Sequence, residues 1–201
     1  MQMLTKNKLI SAGLIALPWF AFWVVLLDML RPEYDYRYKA VSELGAIGAP
    51  YMLTMNIFGF TGTGLLLLAF SLGYSSLLKH QAAGKRLLLI TALLFIGTAI
   101  PISMDTSTDP DPDLNAWNTI VHTVCSLVGY LVWLVALIFI AIRKNGNIKR
   151  ISLITLALVI VLFTLGSIYF SDKPGLMQRL NFLILLSWYF KMALTLLTKT
   201  R

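Results

Sequence analysis

Apolar residues run through the chain in six long blocks, at about 8–30, 51–78, 87–104, 117–142, 150–170 and 178–197, separated by shorter polar segments. A bilayer core about 30 Å thick needs roughly 20 apolar residues at a helical rise of 1.5 Å, so each block meets or nearly meets the length of a span. The pattern predicts an all-α polytopic membrane protein: a bundle of six transmembrane helices forming a single domain over residues 1–201. The longest polar stretch is only about 20 residues, too short to fold separately. Residues 51–78 carry Gly59, Gly62, Gly64 and Gly73. Small residues let membrane helices approach closely, which places the second span in the middle of the packing. The first block has Lys6 and Lys8 in front of it, as a signal peptide would. It runs on as LPWFAFWVVLLDML without a small-x-small cleavage pattern and reads as a retained helix.

Composition agrees with the pattern: 58% hydrophobic and 13% charged residues, with a mean hydropathy of +0.76, lie outside the range of an ordinary soluble domain. The net charge of +8 suggests nucleic-acid binding only until its placement is considered. With the N-terminus inside, the cytoplasmic segments hold Lys6, Lys8, Lys79, Lys85, Arg86, Arg143, Lys144, Lys149, Arg150, Lys199 and Arg201 and no acid. All nine acids fall at the other side, beside Arg31, Arg37, Lys39, Lys173 and Arg179, for a net of −4 there. Basic residues collect in cytoplasmic loops, so both termini are expected inside a cell membrane, with the bilayer and no nucleic acid as partner. The lone Cys125 excludes an intramolecular disulfide and reads as packing.

Polar groups near a membrane are costly, and here they gather on the outward side. The loop RPEYDYRYKAVSELGAIGAP predicts a short interfacial helix around 38–47, with Tyr34, Tyr36, Tyr38 and Tyr51 at headgroup level and Ser42 and Glu43 at the mouth of the bundle. Asp105 is expected to cap the outer end of the third helix, and Asp113 or Asn115 to cap the start of the fourth. The spacing of Asp109, Asp111 and Asp113 suggests a calcium loop, but Leu114 stands where glycine is required and Ile120 where the bidentate glutamate belongs. His122 lies one to two turns inside the fourth span, with Ser126 at i+4 on the same face. It serves either as a proton-exchanging group or as a hydrogen-bonding tie between helices. Gln178 and Arg179 open the sixth span after the Pro174–Gly175 turn, and Arg179 faces either a lipid phosphate or the carboxylates of this side. Lys191 lies deeper in the same span and reaches for the cytoplasmic interface. Paired haem histidines, zinc-hydrolase motifs, a Gly-rich phosphate loop and visible internal repeats are absent from the sequence; the cofactor is left unknown, with Asp105 and Glu43 placed either to orient the His122 ring or to share a metal with it.

The order of SELGAIGAP at 42–50, IPISMD at 100–105, His122, and GLMQR at 175–179 followed by Trp188 resembles the six-span bacterial and archaeal proteins of domain of unknown function family 998. The resemblance implies the fold and its sidedness, and that Ser42, Glu43, Asp105, His122, Gln178 and Arg179 meet at one outer site. Two functions fit these residues. In an enzyme acting on a lipid or lipid-linked substrate, a hydrolase or transferase, His122 is the general acid or base, Asp105 or Glu43 orients it, Ser42 is the nucleophile, and Arg179 and Gln178 bind substrate together with Asn56 and Ser126. In a binder or transporter of a small amphiphile, Asn56, Thr61, Ser126 and Trp133 line a pocket reaching the bilayer midplane. A structural membrane subunit, in which the same groups tie helix ends together, is the third alternative.

Overall fold

The computed structural model describes residues 2–77, 82–103 and 115–199. These residues form six long helices and no strand. Helix α1 is Gln2–Met29. Helix α2 starts as Met52–Thr54, passes through a π-helical stretch, Met55–Thr61, and continues as Gly62–Leu77. Helices α3 (Ala82–Gly97), α4 (Trp117–Arg143), α5 (Gly146–Tyr169) and α6 (Pro174–Lys199) follow. Five segments are long and apolar enough to cross a membrane: Thr5–Met29, Met52–Tyr74, Trp117–Arg143, Gly146–Tyr169 and Pro174–Thr198. Their outward surface confirms the environment: Phe22, Val25, Leu65, Leu131, Ile154 and Ile160 are all exposed, an apolar coat that water would not tolerate but lipid solvates.

Each helix packs antiparallel against the next in the chain, and α6 packs against α1, so the six form a closed ring. Glycines set the closest approaches. A Cβ on Gly64 would run into the Ile96 backbone and side chain of α3, and one on Gly73 into Leu9 and Ile10 of α1. The second helix is one member of the ring, between α1 and α3, rather than its middle, and also touches α6 across the ring. Inside, Phe20, Phe60, Phe95 and Phe182 make one aromatic layer, and Phe70, Trp133, Trp188 and Tyr189 a second.

Three local expectations are corrected. The helix expected around 38–47 is a shorter 3₁₀ turn, Val41–Gly45, and every residue of it is buried, so it plugs the bundle rather than lying on its surface. Tyr34 is buried with it, leaving Tyr36 and Tyr38 exposed and Tyr51 half-buried. The third helix stops at Gly97, seven residues before the expected end at 104. Thr98 turns its hydroxyl back to the Phe95 carbonyl at 2.6 Å, and Ile100, preceding Pro101, is disfavoured in helical conformation. Ala116, which has no capping side chain, stands at the N-cap of α4 in place of the expected Asp or Asn. Asp105, Asp109, Asp111 and Asp113 lie outside the described residues, as do Lys79, His80 and Arg201.

Candidate functional site

The polar side chains of the end where α1 finishes and α6 begins sort into three groups. The first is a clasp built on Arg179. Its guanidinium donates from Nη2 to both carboxylate oxygens of Asp28, at 2.9 and 3.0 Å, and to the Tyr34 hydroxyl at 3.2 Å. Nη1 donates to the carbonyls of Tyr36 (2.9 Å), Lys39 (3.0 Å) and Gly175 (3.2 Å). A planar fork of donors suits this task, since it spans a carboxylate on one side and a loop backbone on the other. Arg179 thus faces a carboxylate, as one of its two expected roles had it, but its second partner is the chain itself.

The clasp folds the loop 30–51 over the bundle. Tyr34 donates to the Ala40 carbonyl at 2.5 Å and stacks against the Arg31 and Arg179 guanidinium groups. Burial pushes its hydroxyl above the ordinary phenol range, so it remains a donor. Glu43 accepts from the Ala40 amide at 2.9 Å, the return half of a capping box, and thereby holds the first turn of the 3₁₀ plug. Arg31 is 1% exposed, pairs with Glu33 at 2.8 Å and reaches the Glu43 carbonyl at 3.4 Å. It was not singled out from the sequence; the available signal was a cation directly after a span with four acids, Asp28, Glu33, Asp35 and Glu43, within twelve residues. Asn56 donates to the Gly45 carbonyl at 2.8 Å and completes the plug.

The second group lashes the non-helical stretch after α3 to α4. Asn118 donates to the Pro101 carbonyl at 2.7 Å, Thr119 accepts from the Ser103 amide at 2.9 Å, and His122 Nδ1 lies 3.0 Å from the Ile100 carbonyl, to which it donates. Asn118, Thr119 and His122 share one face of α4 at i, i+1 and i+4, and that face replaces the backbone bonds lost where α3 ends. The same stretch holds the plug, because the Ile47 amide donates to the Ile102 carbonyl at 2.7 Å.

Between these groups lies a cavity of about 350 Å³. Its polar wall is formed by Ser42 of the plug, Thr98, His122 and Ser126, and Gln178 and Asn181 of α6; Phe60, Phe95 and Phe182 form the apolar wall. Asn181 accepts from the Tyr130 hydroxyl at 2.8 Å, a bridge between α4 and α6, which also meet through the Trp133 and Trp188 rings. Gln178 accepts through Oε1 from the Val41 amide at 2.5 Å, which seats the plug. Towards its other side the lining reaches Leu127 and Phe163, 58% and 51% exposed on the apolar surface. The cavity therefore connects buried polar groups with the lipid-facing side of the ring.

Of the residues expected at one site, Ser42, His122, Ser126 and Gln178 do line one cavity. Glu43, Asn56 and Arg179 belong to the plug and its clasp instead, and Thr61 and Trp133 lie outside the lining. The cavity residues that sequence reasoning missed are mainly Asn181 and Phe182. Asn181 was findable as the polar residue one turn after Gln178. Among the described residues no three His, Cys, Asp or Glu side chains stand together as metal ligands would. A family model described as "Protein of unknown function (DUF998)" matches residues 14–195. No curated protein and no solved structure matches the chain.

Proposed function

The chain belongs to the DUF998 family, and we propose that it is a plasma-membrane protein that takes an amphiphilic molecule, a lipid or lipid-linked compound, sideways from the bilayer into its cavity. The observation that carries this reading is the continuity of one cavity from buried Ser42 and His122 to lipid-exposed Leu127 and Phe163. A purely structural bundle would close that space, because interiors pack densely and an unfilled void forfeits contact energy. A polar head meets hydrogen-bonding groups inside while the apolar tail stays in lipid, the division expected of a concave site with a few convergent polar groups.

The remaining parts of the proposal are sidedness and extent. All six helices span the membrane as one domain, α3 crossing with its 16 helical residues extended by the stretch that follows. Both termini face the cytoplasm, since Lys6, Lys8, Lys85, Arg86, Arg143, Lys144, Lys149 and Arg150 all map to that end, and the cavity faces the outer leaflet.

The test is copurification. Protein purified in mild detergent should carry a lipid that is absent from a Leu127→Trp variant, in which an indole fills the portal from an exposed position. Equal lipid in both would refute the reading.

A catalytic reading is favoured by a specific observation, that a serine hydroxyl and an imidazole, Ser42 and His122, line the same cavity. In it Ser42 is the nucleophile and His122 its base, for acyl hydrolysis or transfer. It predicts that cells expressing His122→Ala show a changed lipid profile against wild type at equal protein level; an unchanged profile would remove it.

A further inference from the structure

We infer that the cavity selects amphiphiles whose polar end carries no net charge, a hydroxyl or ester head such as that of a diacylglycerol or a polyprenol, over phosphorylated heads. The inference rests on the reading that the cavity is a ligand site, and concerns which ligand it takes.

Three observations carry it. First, among the described residues the polar lining consists of hydroxyls, amides, one imidazole and the Cys125 thiol, with no Asp, Glu, Lys or Arg. Second, the arginines of this end are already engaged by groups outside the cavity. Arg179 has its two terminal nitrogens on Asp28, Tyr34 and three carbonyls; Arg31 pairs with Glu33; Glu43 holds the Ala40 amide; and Arg37 grips Asp35 at 2.7 Å. An anionic head entering the cavity would shed its hydration without meeting a counter-charge, whereas a hydroxyl loses far less and regains it through hydrogen bonds. Third, the cavity offers such bonds. Ser42 is buried at 8% exposure and its hydroxyl makes no hydrogen bond with the described residues; neither does that of Ser126. The Gln178 amide uses only Oε1, on Val41, and leaves its NH₂ group to donate. These unpaired hydroxyls, with that of Thr123 in the same lining, and one amide donor match an uncharged oxygen-bearing head. Thr91 and Thr98 have instead turned their hydroxyls to their own helix carbonyls.

The experiment uses full-length protein in phosphatidylcholine vesicles containing a trace of one of three photoactivatable lipids: a diacylglycerol, a polyprenol or a phosphatidic acid. Crosslinks are mapped by peptide mass spectrometry to Ser126, Gln178 and Asn181, which face the cavity rather than bulk lipid. The expected result is that at least one neutral lipid labels these positions at least about ten-fold more than phosphatidic acid, the ratio that a 1.4 kcal/mol difference produces. Whichever of the two neutral lipids labels more identifies the source of the head as glyceride or prenol. Ser42→Ala and Ser126→Ala, which remove unpaired hydroxyls without breaking a bond of the fold, should each reduce that labelling several-fold. Equal or stronger labelling by phosphatidic acid would overturn the inference and leave the binding reading standing. Unchanged labelling in both serine variants would also overturn it, because the preference would then reside in the bilayer. No labelling at these positions by any of the three would overturn the binding reading itself.

Discussion

Removing the Arg179 side chain should unfasten the loop from the bundle, and the structure sets the size of the effect. Arg179→Ala deletes two charge-assisted bonds to Asp28, one to the Tyr34 hydroxyl and three to backbone carbonyls, and strands the Asp28 carboxylate at 18% exposure with no other side-chain partner among the described residues. Breaking a buried pair by removing one partner costs about 3–5 kcal/mol. Because both side chains keep some contact with the polar boundary, at 15% and 18% exposure, the expected loss is about 2–4 kcal/mol. Arg179→Lys should recover only a minor part, since a single ammonium cannot serve Asp28 and the carbonyls of Tyr36 and Lys39 together. Asp28→Ala alone should cost less than Arg179→Ala, because the carbonyl bonds survive. The double variant should then fall short of the sum of the two singles by about 1–2 kcal/mol. The measurement is reversible unfolding in mixed micelles titrated with sodium dodecyl sulfate and followed by tryptophan fluorescence. A loss below about 0.5 kcal/mol for Arg179→Ala, or strict additivity in the double variant, would show that the clasp is not a stabilising unit.

Three further outcomes follow from the same end of the molecule. Gly175→Ala would push a methyl group into the Lys39 and Tyr36 carbonyls that receive Arg179, and should cost about 1–3 kcal/mol in the same assay, whereas Gly146→Ala disturbs no neighbour and acts only through its positive φ of 64°. Tyr34→Phe takes the donor from the Ala40 carbonyl and a partner from Arg179, for a loss of about 1–2 kcal/mol measured the same way. Hydrogen bonds from the Arg37 side chain and backbone hold the Asp35 carboxyl down at about 2, below its ordinary 3.8. A depressed folded value means that the Asp35–Arg37 contact contributes in full above about pH 3.8 and is lost as the pH falls through about 2. A carboxyl titration by nuclear magnetic resonance should therefore place Asp35 well below the other exposed acids, and Arg37→Gln should return it towards 3.8.

The spans were legible because the solvent enforces them: in lipid every backbone group must be satisfied within the helix, so long apolar blocks have one solution. Gly64 and Gly73 likewise announced close packing, and it is found at both. What the sequence could not carry was the identity of backbone partners. Arg179 stood out as a cation at a span end, but that its donors would be divided between Asp28, 151 positions earlier, and the carbonyls of Tyr36 and Lys39 depends on how the loop 30–51 turns back. The early end of α3 was hidden for a related reason. Residues 98–103 are as apolar as a helix would be, and their backbone is satisfied by Asn118, Thr119, His122 and Ile47 from elsewhere. For His122 the sequence left a proton-exchanging group and a hydrogen-bonding tie as alternatives, and the structure gives it the tie together with a place in the cavity wall.

That double placement bears on how function and stability are linked. Consecutive residues of α6 perform different tasks. Arg179 draws the loop over the bundle, while Gln178 both seats the plug through Val41 and leaves its NH₂ group at the cavity. Phe182, one turn further, separates the cavity from a groove of about 440 Å³ between α1 and α6, lined by Leu17, Val24 and Leu186 and bounded by the Asp28–Arg179 pair. Polar groups in a membrane protein are usually assigned either to structure or to a site, and here the division follows charge. Arg31 and Arg179 close the fold, each matched to a carboxylate where desolvation would otherwise be costly. The unpaired hydroxyls of Ser42 and Ser126 and the Gln178 NH₂ group face the space that opens to lipid. If ions had been used in the cavity itself, an empty site would strand them; with hydroxyls and an amide, the cavity can stand empty at modest cost and still distinguish a polar head from a hydrocarbon chain.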